Sequence, residues 1–485
     1  MLKFSSKKKI MKKILLSIVA VVTLMSCQSD DKYEDYNTDP KNPAQIDPDF
    51  LFNNAQKSLV DQMTSTSVNL NVFRLLAQHW TETTYIDEAN YDLTNRNIPQ
   101  AHWSEMYRDV LLDLKIAQEL AQENPEYSAS DISSRVAQAE VLMVYAFQQL
   151  VDTYGDIPYS QALDTESYPL PAYDDAATIY EDLIARLDVA IPNLTGSGFS
   201  IDNIYEGDMT AWNKFANSLK LKIGIRLSDI NPTLSQSTVE SAVAAGVFTS
   251  NQDNAVLEYL GSTPNTNPLW VDLVQSGRSD FVIANTLADF MNNLEDPRRS
   301  AYFDDNLGEN TYEGGPYGAN NNFNSYTHIG AVLHEPTFPG LLLDYSEVSF
   351  YLAEAAARSY SVPGSIEDNY NNGITASFEY WGVDNVDAYL ANPDVAYDTA
   401  PGADWREKIG NQFWLAMYNR GFEAWTVWRK YDAPEFNLPV DTGNPVPTRY
   451  TYPVNEQTLN RTQWEAGSAA IGGDEQTTKL FWDVN

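Results

Sequence analysis

The chain has 485 residues, with 31 basic side chains against 67 acidic ones and a formal net charge of −36. A surface this acidic repels phosphate backbones and anionic headgroups, which argues against nucleic acid as a partner and against electrostatic docking on membranes. Apolar residues make up 43% and aromatics 12%, a globular composition, and the length exceeds the ~250–300 residues one hydrophobic core usually serves, so two lobes or one elongated helical assembly are expected.

The first predicted element is a leader. Lys12 and Lys13 precede an apolar run over 14–25 (ILLSIVAVVTLM), then Ser26 and the chain's single cysteine, Cys27. That order is the pattern of a secretory signal peptide, and the run is too short to span a bilayer as a mature helix. Leu24-Met25-Ser26-Cys27 resembles the lipobox of bacterial lipoproteins, which implies cleavage before Cys27 and its lipidation; the alternative is an ordinary signal peptide with a chance cysteine. A start at Met11 leaves the signal complete. Residues 1–26 are therefore set aside as signal peptide, leaving 25 basic side chains against 67 acidic ones and no second cysteine for a disulfide. Attachment then comes from lipid, and two or three acyl chains hold firmly where a single chain binds marginally. Residues 27–47 read as a lipid-anchored acidic linker, rich in Asp, Asn and Pro. Within it, Ser29-Asp30-Asp31 resembles the export signal that sends some lipoproteins to the outer face of the outer membrane, a reading compatible with a spacer.

From Asp49 onward the periodicity is helical. Met106, Val110, Leu114, Ala117 and Leu120 form one stripe; Val136, Ala139, Met143, Ala146, Phe147 and Leu150 a second; Ile179, Leu183, Leu187 and Ile191 a third. Trp212, Phe215, Leu219, Ile223 and Leu227 form a fourth, and Leu341, Tyr345, Val348, Leu352 and Ala355 a fifth. Each follows the i, i+3/i+4, i+7 spacing of an amphipathic helix, and long alternating stretches are absent. Asp131 and Thr210 stand where N-caps of the second and fourth helices belong. The predicted fold is mostly α: paired helices in a divergent tetratricopeptide-like scaffold, without a clean 34-residue period.

Two stretches break this pattern. Residues 302–340 hold seven aromatics, six Asn and six Gly, a loop too long and too aromatic to be an idle linker. Residues 82–100 lie between helices and carry Tyr85, Tyr91 and Arg96. Both are expected as surface loops on a rigid scaffold.

Four strings carry a family resemblance. Tyr154-Gly155-Asp156-Ile157-Pro158-Tyr159 ends a helix, with Gly free to take a left-handed conformation and Pro stopping the helix. Asp296-Pro297-Arg298 is followed by Tyr302-Phe303; Leu343-Asp344-Tyr345-Ser346-Glu347-Val348 runs into Ala353-Glu354-Ala355-Ala356; Arg449-Tyr450-Thr451-Tyr452-Pro453-Val454-Asn455-Glu456-Gln457 lies near the C-terminus. Together, in this order, they resemble the SusD/RagB family of outer-membrane nutrient-binding lipoproteins, closest to its SusD-like, starch-binding-associated branch. The resemblance spans nearly all of 48–485. It implies a non-catalytic binding protein that acts as a hinged lid on a SusC-like TonB-dependent transporter and delivers captured glycan or peptide fragments for import.

A glycan site needs exposed aromatic faces for stacking and polar side chains for hydroxyls. The first irregular stretch offers Tyr85, Tyr91 and Arg96; the second offers Tyr312, Tyr317, Asn321, Phe323, Tyr326 and His328; Trp270, in the loop over 264–270, is a further candidate. Trp80 continues an apolar helical face with Phe73 and Leu76, and Trp103, Trp212, Trp381, Trp414, Trp425 and Trp428 lie on helical patterns and are expected in the core. The four histidines are too dispersed to ligate a metal, the oxygen-rich run over 304–309 fails the EF-hand spacing, and no motif implies a cofactor. There is no GxSxG, HExxH or P-loop. Two readings stay open beside glycan binding: a tetratricopeptide-like assembly scaffold for a protein partner, and a glycoside hydrolase whose acid pair is lost among 67 carboxylates.

Overall fold

The computed structural model describes residues 46–484. The signal peptide, Cys27 and Ser29-Asp30-Asp31 lie outside the described residues. The body is a compact unit running from Pro48, and it is mostly α.

Its principal helices are α1 (Pro48–Thr64), α2 (Ile98–Ser104), α3 (Leu112–Glu123), α4 (Ala129–Tyr154), α5 (Ala176–Ala190), α6 (Met209–Arg226), α7 (Pro232–Ala245), α8 (Tyr345–Ala357), α9 (Ile366–Trp381), α10 (Trp405–Ala416) and α11 (Gly421–Tyr431). Neighbours in sequence pack as pairs: α3 on α4, α4 on α5, α6 on α7, α8 on α9 and α10 on α11. Each helix buries its apolar stripe against the next, which is how a tetratricopeptide-like stack makes one core from short pieces. Strands are few: β1 (Trp80–Glu82) pairs with β5 (Phe281–Ile283), β2 (Ile157–Pro158) with β3 (Tyr173–Asp174), and β4 (Ala255–Leu257) with β6 (Gly340–Leu343), all antiparallel.

The details differ from the sequence reading in four places. A π-helical turn, Glu105–Leu111, joins α2 to α3; beyond it Leu114 and Ala117 are buried as expected, and Ala121 rather than Leu120 completes the buried stripe, an i+4 step from Ala117. The cap of α4 is Ser128, whose Oγ accepts the Asp131 N–H at 3.2 Å, while the Asp131 carboxylate takes the Ser128 hydroxyl at 2.7 Å. Asp208, not Thr210, caps α6. Leu341 belongs to β6, because Asp344 starts α8 by accepting the Glu347 N–H at 2.7 Å.

Much of the four matching strings is built into the interior, although Val454 and Asn455 are exposed. Tyr154 closes α4 with its hydroxyl on the Pro99 carbonyl, and Gly155 turns the chain at φ 87°. The C-terminal string lies against it: the Tyr450 N–H donates to Thr153 O, Arg449 Nε to Tyr154 O and the Tyr452 hydroxyl to Asp156 O, all at 2.8–3.0 Å. Arg298 is fully buried and forms an ion pair with Asp296 at 2.6 Å. On α8, Glu347 meets Lys222 at 3.2 Å and Arg420 at 2.5 Å, and Glu354 meets Lys430 at 3.1 Å and Arg358 at 2.8 Å. Buried charges this well paired tie α6, α8 and α11 into one register.

Candidate functional site

The site is organised by the β1–β5 pair. Ile283 is the outer partner: its N–H donates to Thr327 O at 3.0 Å and its carbonyl accepts from Gly315 at 2.8 Å. In an antiparallel strand both groups of one residue point to the same side, so the stretch 302–340 docks on the edge of β5 away from β1. Gly314 and Gly315 make that approach possible, since a Cβ at Gly314 would sit 2.4 Å from the Asn285 Cα. The stretch also holds short helices at Phe323–Ser325 and Ala331–His334.

On the β1 side, the chain continues antiparallel past Glu82, where Thr83 donates its N–H to Asp280 O at 2.9 Å, and then turns out at Tyr85 with φ 54°. Tyr85 is 66% exposed. It stands in a cleft of about 210 Å³ whose lining includes Ser67, Val68, Asn69, Glu82, Arg96, Asp272, Arg278, Asp280 and Phe281. The Arg278 guanidinium lies 6.0 Å from the Tyr85 ring centroid and donates to Asp280 at 3.0 Å. Beneath them, Arg96 pairs with the buried Glu88, and Glu88 hydrogen-bonds Glu82. Burial, with Glu88 beside it, pushes the Glu82 carboxyl up to about 9, so the two acids hold a proton between them. Burial also pushes the Asp272 carboxyl up to about 6.

The sequence-predicted residues divide by burial. Tyr85 and Arg96 line this cleft together. Trp270 is half-buried on the short helix Pro268–Trp270, two residues before Asp272, and is not among the lining side chains. Phe323 is half-buried with its ring stacked on His328 at 3.8 Å, and Tyr326 is half-buried beside Thr327. Three candidates are packing residues instead. Tyr317 is completely buried, its hydroxyl on Leu75 O at 2.7 Å; Tyr91 lies against it and accepts from Gln78 at 3.0 Å; Asn321 donates to Glu82 O at 3.0 Å. Asn321 fastens the long stretch to β1 and Tyr317 fastens it to the short helix Phe73–Leu76, and a ring with no exposed face cannot stack on a sugar. Tyr312 is likewise buried, its hydroxyl held by Asp305 at 2.8 Å. Trp80 is fully buried, and of the tryptophans expected in the core, Trp381 and Trp428 are only partly so.

Sequence reasoning missed Asn69, Asp272, Arg278 and Asp280. The usable signal was the polar turn Ser276-Gly277-Arg278-Ser279-Asp280 leading into an apolar strand. Among the described residues no group of three His, Cys, Asp or Glu is placed to hold a metal ion, and no helix is long and apolar enough to cross a membrane.

Comparison with known proteins decides the family. A family model described as SusD-like, "starch-binding associating with outer membrane", matches residues 40–453. The chain belongs to the SusD-like family. Solved structures similar to it include one titled chitin-binding protein, at 27% identity and TM-score 0.77, covering 90% of this chain and 100% of that one. A chitin-binding SusD homologue from Flavobacterium johnsoniae has 25% identity and TM-score 0.75, covering 90% and 97%. A SusD homologue from Bacteroides uniformis has 27% identity and TM-score 0.76, covering 90% and 100%. No curated protein matches this chain.

Proposed function

We propose that this SusD-like protein is a non-catalytic, lipid-anchored glycan-binding protein of the outer membrane. It captures oligosaccharides in the Tyr85 cleft outside the cell and hands them to a SusC-like TonB-dependent transporter. One observation carries the placement of the site: Tyr85 keeps a tyrosine ring 66% exposed at the mouth of a polar cleft. An aromatic ring held out to solvent, with a guanidinium beside it and hydroxyl-binding side chains below, is the equipment for stacking a pyranose and fixing its orientation. The chitin-binding titles of two similar structures support a glycan as the ligand class.

The test is calorimetric titration of parent and Tyr85→Ala with chito-oligosaccharides. Losing one ring face removes apolar area worth roughly 1–3 kcal/mol at ~25 cal/mol per Å2, so affinity should fall about five- to a hundred-fold. The melting temperature should not move, because the ring is exposed. If Tyr85→Ala binds like the parent while Phe323→Ala or Tyr326→Ala does not, the site lies on the other edge of β5. If no oligosaccharide binds the parent and peptides do, the ligand class is wrong.

A further inference from the structure

The cleft contains more charge than a neutral sugar needs, and most of it is already satisfied. Arg278 is spent on Asp280, and Arg96 on Glu88. Glu82 accepts the Ala89 N–H at 2.8 Å and hydrogen-bonds Glu88. Asp272 is different. Its carboxylate lines the cleft, half-buried, with no hydrogen bond or ion pair to any described residue. The opposing buried cation, Arg74, acts on it only through space. Its N–H groups are taken by Thr64 O and Ser65 O, each at 2.8 Å, and by Asn419 Oδ1 at 2.8 and 3.0 Å. Asp280 on the facing turn adds a like charge, and Arg278 opposes it.

A half-buried carboxylate with no protein donor is left to water, and a cationic donor meets it through a charge-assisted hydrogen bond. Tyr85, at the same cleft, supplies the face on which a pyranose stacks. On the reading that this cleft binds glycan, we propose that Asp272 makes it selective for sugars carrying a free amino group, with the carboxylate taking the ammonium and Tyr85 taking the ring face. An N-acetyl group offers the same carboxylate one neutral N–H and no charge. Partially deacetylated chitin therefore fits the cleft better than the fully acetylated polymer. The protein's formal charge of −36 favours encounter with such a cationic chain.

Two consequences are measurable. Ammonium binding stabilises the ionised carboxylate, so near pH 6, where burial places the Asp272 titration, the carboxylate gives up a proton on binding while any neutral amine of the ligand takes one up; the difference between the parent and Asp272→Asn isolates the carboxylate's share, and affinity relative to that variant should weaken as pH falls further. Arg278, Asp280, Glu82 and Arg96 line the same cleft, and Arg74 acts on Asp272 from outside that lining.

The experiment is calorimetry on the full chain with fully acetylated and fully deacetylated chito-oligosaccharides of equal length, at pH 7 and pH 6, in buffers of different ionisation enthalpy. The parent should prefer the deacetylated ligand by roughly 10- to 100-fold, the range of one charge-assisted hydrogen bond. At pH 6 with that ligand the parent should release more protons, or take up fewer, than Asp272→Asn. Asp272→Asn should bring the ratio to about one and show only the ligand's own proton exchange, and Asp272→Glu should restore part of the preference and of the carboxylate's release. Equal affinities in the parent, or a preference that survives Asp272→Asn, overturn the inference and leave glycan binding standing. A parent that binds neither sugar removes the glycan reading and this inference with it. Loss of both ligands in Tyr85→Ala supports the shared cleft, and no loss of either there overturns it.

Discussion

A tyrosine serves a sugar only through a face that solvent reaches, and Tyr85 and Tyr317 stand on opposite sides of that condition although both lie in Gly- and Asn-rich or turn-rich stretches. Their fates follow from the backbone around β5: Tyr317 enters behind β1 and donates to Leu75 O, whereas Tyr85 leaves β1 through a positive φ and points out. Tyr317→Ala should therefore cost about 3–5 kcal/mol of stability, the range for deleting a buried aromatic, and Tyr85→Ala should stay within about 0.5 kcal/mol. Denaturant unfolding of the two variants checks this, and comparable losses would remove the distinction between anchor and platform. Tyr85 and Arg96 were legible as a polar-aromatic pair in the sequence. The burial of Tyr91, Tyr317 and Asn321 was not, because it depends on which strand edge the loop joins. The same neighbourhood yields a pH prediction. The folded state holds the Glu82 proton up to about pH 9, whereas the unfolded chain releases it near 4.5. Between those values the folded state binds more protons, so stability falls as pH rises. Glu82→Gln should flatten that slope, losing at least about 1 kcal/mol less than the parent between pH 5 and 8.5. Parallel curves would show that the carboxyl is ionised in the fold.

At the scale of elements, the helices were readable because their stripes repeat every 3.6 residues, a local signal that survives without knowing the partner. What periodicity could not show was the π-turn Glu105–Leu111, since an i→i+5 turn leaves the composition unchanged. Nor could it show that the polar residues of α8 face inward. Glu347 and Glu354 sit on a helix buried nearly all round, and their charges are met by Lys222, Arg420 and Lys430 from elsewhere in the fold and by Arg358 at the end of the same helix. Removing one partner of such a group leaves the others desolvated and unpaired, which costs about 3–5 kcal/mol. Glu347→Gln should lower stability by that amount, while Arg461→Ala, which breaks the exposed Arg461–Glu465 pair, should change it by less than about 1 kcal/mol. Thermal melts of the two variants side by side decide the point, and a mild Glu347→Gln would mean that the ladder sets register without adding stability.

For the whole molecule, the strings that betray the family are those that hold the body together. The closing string over 449–457 lies on the Tyr154-Gly155-Asp156 turn, and Arg298 is sealed among Ser377, Tyr389 and Gln412. A recognisable scaffold and an unrecognisable ligand are then two sides of one constraint. Interior charges must match many neighbours at once, whereas the cleft answers only to what it binds. The attachment of that scaffold to a membrane rests on neither. No described helix can cross a bilayer, and 67 acidic side chains against 31 basic ones give anionic lipid no purchase. We expect a covalent lipid on Cys27, the chain's single thiol, to hold the protein on the membrane. Dual acylation binds far more firmly than a single chain, so Cys27→Ala should move the protein from the membrane to the soluble fraction completely rather than by degrees, with labelled fatty acid no longer incorporated. Because the cleft lies in the body that begins at Pro48, the released protein should still bind oligosaccharide with the parent's affinity. A variant that keeps its fatty-acid label would show that the anchor lies elsewhere, and a released variant that no longer binds would tie capture to the membrane itself.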